Sequence, residues 1–257
     1  MARSFAAAGM KIVIADIEAD ALRTAEADLK GSNADVLAIE LDVTDREAMA
    51  RAADETEAKF GKVHVLCNNA GVATGGRLDE ATYQDWDWLI GVNLEGVING
   101  LHTFLPRIKK HGEGGHVVNT ASIAGQVALP GLGVYNATKY AVVGISETLV
   151  QELEPDGIGV SVLCPGFVAT NIYDSQRNRP AALENPDGKD QGFLGDPGFV
   201  EEVRSNAMDP SVVGEKVVEA VRENEFYIFT HPEFLPMVQT RIKNILSAYE
   251  RLAGPDD

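Results

Sequence analysis

Short apolar β-rich runs alternate with helical patterns along almost the whole chain, and this alternation is what most restricts its fold. KIVIADI (11–17), DVLAIELDV (35–43), KVHVLCNNAG (62–71), HVVNTAS (116–122), GIGVSVLCPG (157–166) and EFYIFT (225–230) read as strands. Helical patterns fill 18–30, 45–60, about 82–110 and 133–153, and an amphipathic helix closes the chain near 235–252. Strands apolar nearly throughout are buried on both faces, and βαβα order joins them in parallel. The expectation is an α/β fold, a doubly wound parallel sheet with helices on both faces.

No internal repeat or composition break marks a second unit, so residues 1–257 read as one domain. The exception to regularity is 171–210, rich in Pro, Gly, Asp and Asn and longer than an ordinary connection. Loops of that length in compact domains are functional lids or disordered segments, and a lid over the site is the expectation here. Phe193, Phe199, Val200 and Met208 would give it an apolar underside, or equally anchor it to the core.

A formal charge of -17 argues against a nucleic-acid partner and against anionic membrane surfaces, both of which want a basic face. No window of eighteen apolar residues offers a membrane span, and no basic start with an apolar core marks a signal peptide. Cys67 and Cys164 each end an apolar run, the pattern of buried reduced thiols, which places the protein in the cytoplasm. The five histidines show no HExxH or short paired spacing, so no metal is expected.

Four features carry chemistry. Asp16 ends the KIVIADI strand, where an acid about twenty residues after a glycine turn accepts hydrogen bonds from an adenosine ribose. The same position serves an N-cap for 18–30. NNAG (68–71) follows a strand at its carboxyl end, where open parallel sheets bind ligands, though it also reads as a plain turn. Tyr135 and Lys139 lie four apart in a helical pattern, about 5–6 Å apart at Cβ. An ammonium beside a phenol lowers its pKa toward working pH and makes it a general acid/base, although such pairs are common on surfaces. Ser122 closes HVVNTAS, and Asn93 sits mid-helix in GVNLEGVING.

Taken together, NNAG, Asn93, TASIAG, YNATK and the PG of LCPGFVAT occur in an order and at intervals that resemble the short-chain dehydrogenase/reductase family, over nearly the whole chain. The resemblance implies a Rossmann-type sheet and hydride transfer between a nicotinamide and an alcohol or ketone. It implies Tyr135 as acid/base, Ser122 as the hydroxyl orienting the substrate oxygen, Lys139 as the tyrosine's partner and ribose ligand, and Asn93 as holder of a relay water. Asp42 and Val43 would bracket the adenine. Asn69, Ala70 and Gly71 would pass the ribose and diphosphate, and Pro165, Gly166, Val168 and Thr170 would line the nicotinamide end. Asp16 would repel a 2′-phosphate, with no Arg or Lys in DIEAD to offset it, so NAD is favoured over NADP. The stretch 85–108 looks similar to dehydrogenases of bulky aromatic alcohols, and the family forms tetramers or dimers through helices near 93–110 and 135–153. A non-catalytic remnant acting as an interaction protein, or an epimerase or dehydratase on the same scaffold, are the competing readings.

The family's TGxxxGxG turn occurs nowhere in the chain, and MARSFAAAGM matches the helix that follows it. The family's first strand, central in the sheet between KIVIADI and KVHVLC, is missing too. Such a strand, five or six residues at ~1.5–3 kcal/mol per buried side chain, rivals a domain's net stability of about 5–15 kcal/mol. The sequence therefore predicts poor folding as written and a natural start upstream of Met1; an intact mass equal to residues 1–257 would refute that start.

Overall fold

The computed structural model describes residues 1–185 and 197–253. A short helix α1 (Ala2–Ala7) leads into β1 (Ile12–Asp16), α2 (Ala19–Gly31), β2 (Val36–Glu40), α3 (Arg46–Phe60) and β3 (Val65–Asn68). Then come α4 (Tyr83–Ile90), a π-helical turn (Gly91–Glu95), α5 (Gly96–His111), β4 (Gly115–Thr120), α6 (Gly133–Leu153) and β5 (Ile158–Cys164). The chain ends with α7 (Pro197–Asn206), α8 (Pro210–Glu223), β6 (Tyr227–Phe229) and α9 (Leu235–Ala253).

Local signals explain several boundaries. Asp45 caps α3 by accepting from the backbone N–H groups of Glu47 and Ala48, both at 2.9 Å. Gly61, at φ 86, ends the same helix in a conformation that glycine adopts without strain. Thr82 and Asp85 form a reciprocal capping box at the start of α4. Asp209 caps α8, with Pro210 at its first turn.

Every strand pair is parallel, as the alternation requires, but the strands form two sheets. One is β1–β2 and the other runs β3–β4–β5–β6. The break falls between β1 and β3, the place expected for a central strand. Side chains close it instead: Ile12 and Ile14 of β1 and Val65 and Cys67 of β3 share one apolar cluster with Phe5, Val118, Leu163 and Val217. A second cluster lies between β3–β5 and the pair α5/α6, around Leu66, Leu101, Val117, Val142 and Val160. The glycines of GVNLEGVING allow close approach of the helix to the ends of β2 and β3. A Cβ on Gly96 would stand 2.7 Å from Val43 Cγ2, and one on Gly100 would run into the Asn68 side chain.

Both cysteines are free; Cys164 is buried, whereas Cys67, expected to be buried, is only half-buried at the break. Burial pushes the thiols up, to about 12 for Cys67 and about 11 for Cys164. No helix among the described residues is long and apolar enough to cross a membrane.

His116 on β4 is sealed at 5% exposure, its Nε2 2.8 Å from Ser161 Oγ, which itself donates to the Glu225 carbonyl at 2.6 Å. Burial lowers its pKa to about 4, so the folded chain keeps the ring neutral where the unfolded chain, near 6.5, already takes a proton. The unfolded state then binds more protons, and stability drains away as pH falls from about 6.5 toward 4. Thermal midpoints measured across that window should fall more steeply for the wild-type protein than for His116→Gln. Parallel curves for the two proteins would show that this ring has no part in acid lability.

Candidate active site

The expected site residues gather at the carboxyl ends of β3, β4 and β5, the edge where open parallel sheets bind ligands. Ser122 follows β4 in extended conformation, its Oγ accepting from Ala124 N at 3.1 Å and lying 3.4 Å from the Pro165 carbonyl. The same hydroxyl hydrogen-bonds the phenol of Tyr135. One turn along α6, Lys139 places its Nζ 5.5 Å from the centre of the Tyr135 ring and donates to the Thr120 carbonyl at 3.0 Å. Helical spacing and the end of β4 thus bring phenol, ammonium and hydroxyl together, and all three residues are buried.

The protonation states differ from the sequence expectation. The phenol is not lowered by the neighbouring ammonium; burial pushes Tyr135 up to about 12, against the opposing Ser122 hydrogen bond. Burial also brings Lys139 down to about 8. The physical reason is shared: out of water, phenolate and ammonium each lose their hydration, and the Lys139 ammonium donates to the Thr120 carbonyl. Tyr135 is therefore a neutral acid here, suited to giving a proton to a developing alkoxide.

Asn93 lies in the π-helical turn, fully buried, and its side chain is a clasp. Its Oδ1 accepts from Val72 N at 2.8 Å, and its Nδ2 donates to the Val72 carbonyl at 2.9 Å and to Thr138 Oγ1 at 3.2 Å. It fastens the loop after β3 to the helix that carries Tyr135. A single π turn inside a helix frequently marks a functional position, and no spacing rule would have found this one. Gly71 sits beside it; a Cβ there would lie 3.4 Å from Asn93 Oδ1 and 3.5 Å from Lys139 Nζ. Gly125 approaches more closely still, its position for a Cβ being 2.6 Å from the Lys139 carbonyl oxygen.

The remaining expected residues line the same edge. Asp16 is exposed at the end of β1 and accepts from Glu18 N at 2.9 Å; the N-cap position of α2 belongs to Glu18, without a side-chain cap. Asp42 accepts from Thr44 N and Oγ1, and the Val43 carbonyl accepts from Asn99 Nδ2 at 2.9 Å. Asn69 and Ala70 are exposed, with Asn69 Oδ1 3.2 Å from Thr120 Oγ1. Gly166 donates from its N–H to His231 Nδ1 at 3.1 Å, and His231 Nε2 lies 3.0 Å from the Phe167 carbonyl, so a histidine the sequence did not single out holds the PG turn. Val168 bridges to Met208, the one residue of the expected apolar underside whose side chain is described, and Thr170 caps the 3-10 turns at Asn171–Asn178. Phe193 lies outside the described residues, as do the side chains of Phe199 and Val200.

Residues 171–185 lie down on the site. Ser175 Oγ accepts from Ala73 N at 3.1 Å, and Arg177 and Asn178 reach Glu18 at 2.5 and 2.8 Å. Arg179 is sealed against Asp85 at 2.8 Å, with its guanidinium 5.0 Å from the centre of the Trp88 ring. Tyr173, Val72, Ala73, Trp88, Leu132 and Tyr135 form one apolar cluster around the phenol. Far from this edge, His64, His111 and Glu113 approach within 4.8 Å through their ligand atoms, a grouping that sequence spacing hides. Those atoms are spent on one another, on Lys62 and on the Val63 carbonyl.

Residues 1–181 match the family described as short chain dehydrogenase. The chain belongs to the short-chain dehydrogenases. As such it is a nicotinamide-dependent oxidoreductase. This short-chain dehydrogenase is 38% identical over 257 residues to a C alpha-dehydrogenase of Sphingobium sp. (strain NBRC 103272 / SYK-6), covering 96% of this chain and 81% of the relative. It superposes with a TM-score of 0.90 and 40% identity on a short chain dehydrogenase/reductase from Burkholderia phymatum in complex with NAD, covering 99% of this chain and 92% of that one. A short-chain dehydrogenase structure from Novosphingobium aromaticivorans gives a TM-score of 0.80 at 39% identity, over 99% and 83% of the two chains.

Proposed function

We propose that this short-chain dehydrogenase transfers hydride between NAD(H) and a secondary alcohol or its ketone carrying a bulky apolar or aromatic group. The meeting of Ser122, Tyr135 and Lys139 in one buried cluster beside the sheet edge carries this reading. The bound nicotinamide supplies or accepts the hydride. In reduction Ser122 positions the carbonyl oxygen, the neutral Tyr135 phenol gives it a proton, and the Lys139 ammonium steadies the negative charge left behind. Asn93 and Thr138 hold the helix and the loop after β3 in register.

The residues fit both ends of a dinucleotide. Asp16 stands exposed at the end of β1, ready to accept from ribose hydroxyls, while Asp42 and Val43 lie one strand over. Pro165, Gly166, Val168 and Thr170 follow β5 beside Ser122. A glycine-rich turn for the diphosphate is not among the residues of the chain. The Burkholderia relative's complex with NAD and the bare carboxylate of Asp16 both favour NAD over NADP. The apolar cluster of Tyr173, Trp88 and Leu132 favours an apolar or aromatic substrate, in keeping with the C alpha-dehydrogenase relative. Of the expected lid 171–210, residues 171–185 serve as its near part and 186–196 lie outside the described residues, and the long helices α5 and α6 pair copies into a dimer or tetramer.

The test is reduced-nicotinamide absorbance with a panel of aryl and aliphatic secondary alcohols, with NAD and with NADP. Turnover confined to small aliphatic alcohols would overturn the substrate class, and none at all would overturn the reading. Asp16→Ala should cut the preference for NAD over NADP by about tenfold, equivalent to ~1.4 kcal/mol. An unchanged ratio of kcat/KM values would remove Asp16 from cofactor choice.

A further inference from the structure

Among the described residues, two buried side-chain oxygens have no hydrogen-bond partner, Asn136 Oδ1 and Gln176 Oε1. A buried carbonyl left unpaired forfeits the bonds it made in water, so such an atom calls for an occupant. Asn136 is well bonded at its other end, where Nδ2 donates to the Leu129 carbonyl at 2.9 Å and pins the loop leading into α6. Gln176 differs, because its amide is thinly bonded at both ends. Its Nε2 lies 3.4 Å from Thr74 Oγ1, a long hydrogen bond, and its Oε1 has no partner.

Neighbours fix the amide in place. Ser175 accepts from Ala73 N and donates to the Ile172 carbonyl at 2.6 Å, while Arg177 holds Glu18 and the Asp174 carbonyl. Gln176 is thereby set against the loop after β3. Its contact there, Thr74, is 6% exposed and lines a small cavity with Leu78, Ala81, Asp85 and Val134. Val134 and Tyr173 belong to the apolar cluster around the Tyr135 phenol, so the underbonded amide sits among the walls that close over the site.

We propose that Gln176 is a specificity-determining residue that binds a hydroxyl carried by the substrate's apolar or aromatic group. This rests on the reading of the chain as a dehydrogenase of bulky secondary alcohols. A hydroxyl is the matching group because it is a neutral donor for Oε1. An ether or a second ketone only accepts and would leave Oε1 unpaired; an ammonium donates but would lose its hydration among apolar walls. Exchanging the oxygen and nitrogen of the amide leaves an unpaired donor instead, which a hydroxyl satisfies as well. The effect is on selectivity: a site built to hydrogen-bond a hydroxyl rejects the analogue that lacks it, since the carbonyl then stays buried and unpaired.

Calorimetric titration of acetophenone and its ring-hydroxylated isomers into the full chain tests this, with and without NAD. A ketone and the oxidised cofactor cannot exchange hydride, so binding is read without turnover. At least one hydroxylated isomer should bind about tenfold or more tighter than acetophenone. Gln176→Met, of similar length but without the amide, should remove that preference, while its thermal midpoint holds or rises because the orphan carbonyl is gone. Gln176→Glu, which keeps an acceptor, should retain the preference. Equal binding of all the ketones, a preference that survives in Gln176→Met, or its loss in Gln176→Glu would overturn the inference. A midpoint that falls together with the preference in Gln176→Met would make the amide structural and overturn it too. Nicotinamide turnover of the corresponding 1-arylethanols is read separately. Its absence would overturn the dehydrogenase reading, and a Gln176-dependent preference in binding would still stand.

Discussion

Tyr135→Phe is expected to lower kcat/KM by about 10²–10⁴-fold, the usual worth of a positioned general acid. The ring stays in place over Lys139 and within the cluster of Trp88 and Tyr173, so only the phenol oxygen is removed. Loss of its bond to Ser122 costs about 1 kcal/mol of stability, too little to unfold the site. NAD affinity should therefore persist while turnover collapses, and calorimetric binding beside steady-state kinetics separates the two. Turnover within threefold of wild type would remove the phenol from the proton step. The pH profile adds a second check. Tyr135, pushed up to about 12, stays protonated through the neutral range, whereas Lys139, brought down to about 8, loses its charge as pH rises through that value. Reduction should hold below about pH 8 and decline above it. Lys139→Arg should move that limb upward, because a guanidinium keeps its proton.

The largest loss of stability is expected from Arg179→Ala. Arg179 and Asp85 are both buried and 2.8 Å apart, and Asn185 bonds to each, at 3.0 Å from Arg179 and 3.2 Å from Asp85. Burial pushes the Asp85 carboxyl up, and the Thr82 N–H, Arg179 and Asn185 together outweigh it and hold the group below its ordinary range. Removing one member of a buried pair strands the other, at a cost of about 3–5 kcal/mol. Part of that loss should be local. Arg179 ties residues 171–185 to α4, so KM for a bulky substrate should rise while NAD affinity changes less. Urea unfolding and substrate saturation curves read both effects. A midpoint within the error of wild type would show that the pair is no anchor.

Most of the architecture was legible along the chain. Each strand run between 11 and 230 became a parallel strand, with ends trimmed by one to several residues except that β4 starts one residue early at Gly115, because continuous apolar character reports burial on both faces whatever the neighbours are. Helix α8 was legible too, through Asp209-Pro210 and the apolar positions Val213 and Val217, but it stood at the end of the irregular stretch 171–210 and went unread. The π turn carrying Asn93 was not legible, since one added residue per turn leaves no mark in apolar spacing. His231 and Thr120 were missed for another reason. Their contacts, to the PG turn and to Lys139, run between segments far apart in sequence.

The sequence by itself determined the alternation of strand and helix, the one-turn spacing of Tyr135 and Lys139, and the acid at the end of β1, all of them properties of neighbours along the chain. Tertiary structure alone decided the protonation states, because burial is set by what packs around a group: it raised the phenol and lowered the ammonium where adjacency in sequence pointed to a lowered phenol. It also decided how the expected gap between β1 and β3 is filled, since Ile12, Ile14, Val65 and Cys67 meet in one apolar cluster only once the two sheets are brought side by side.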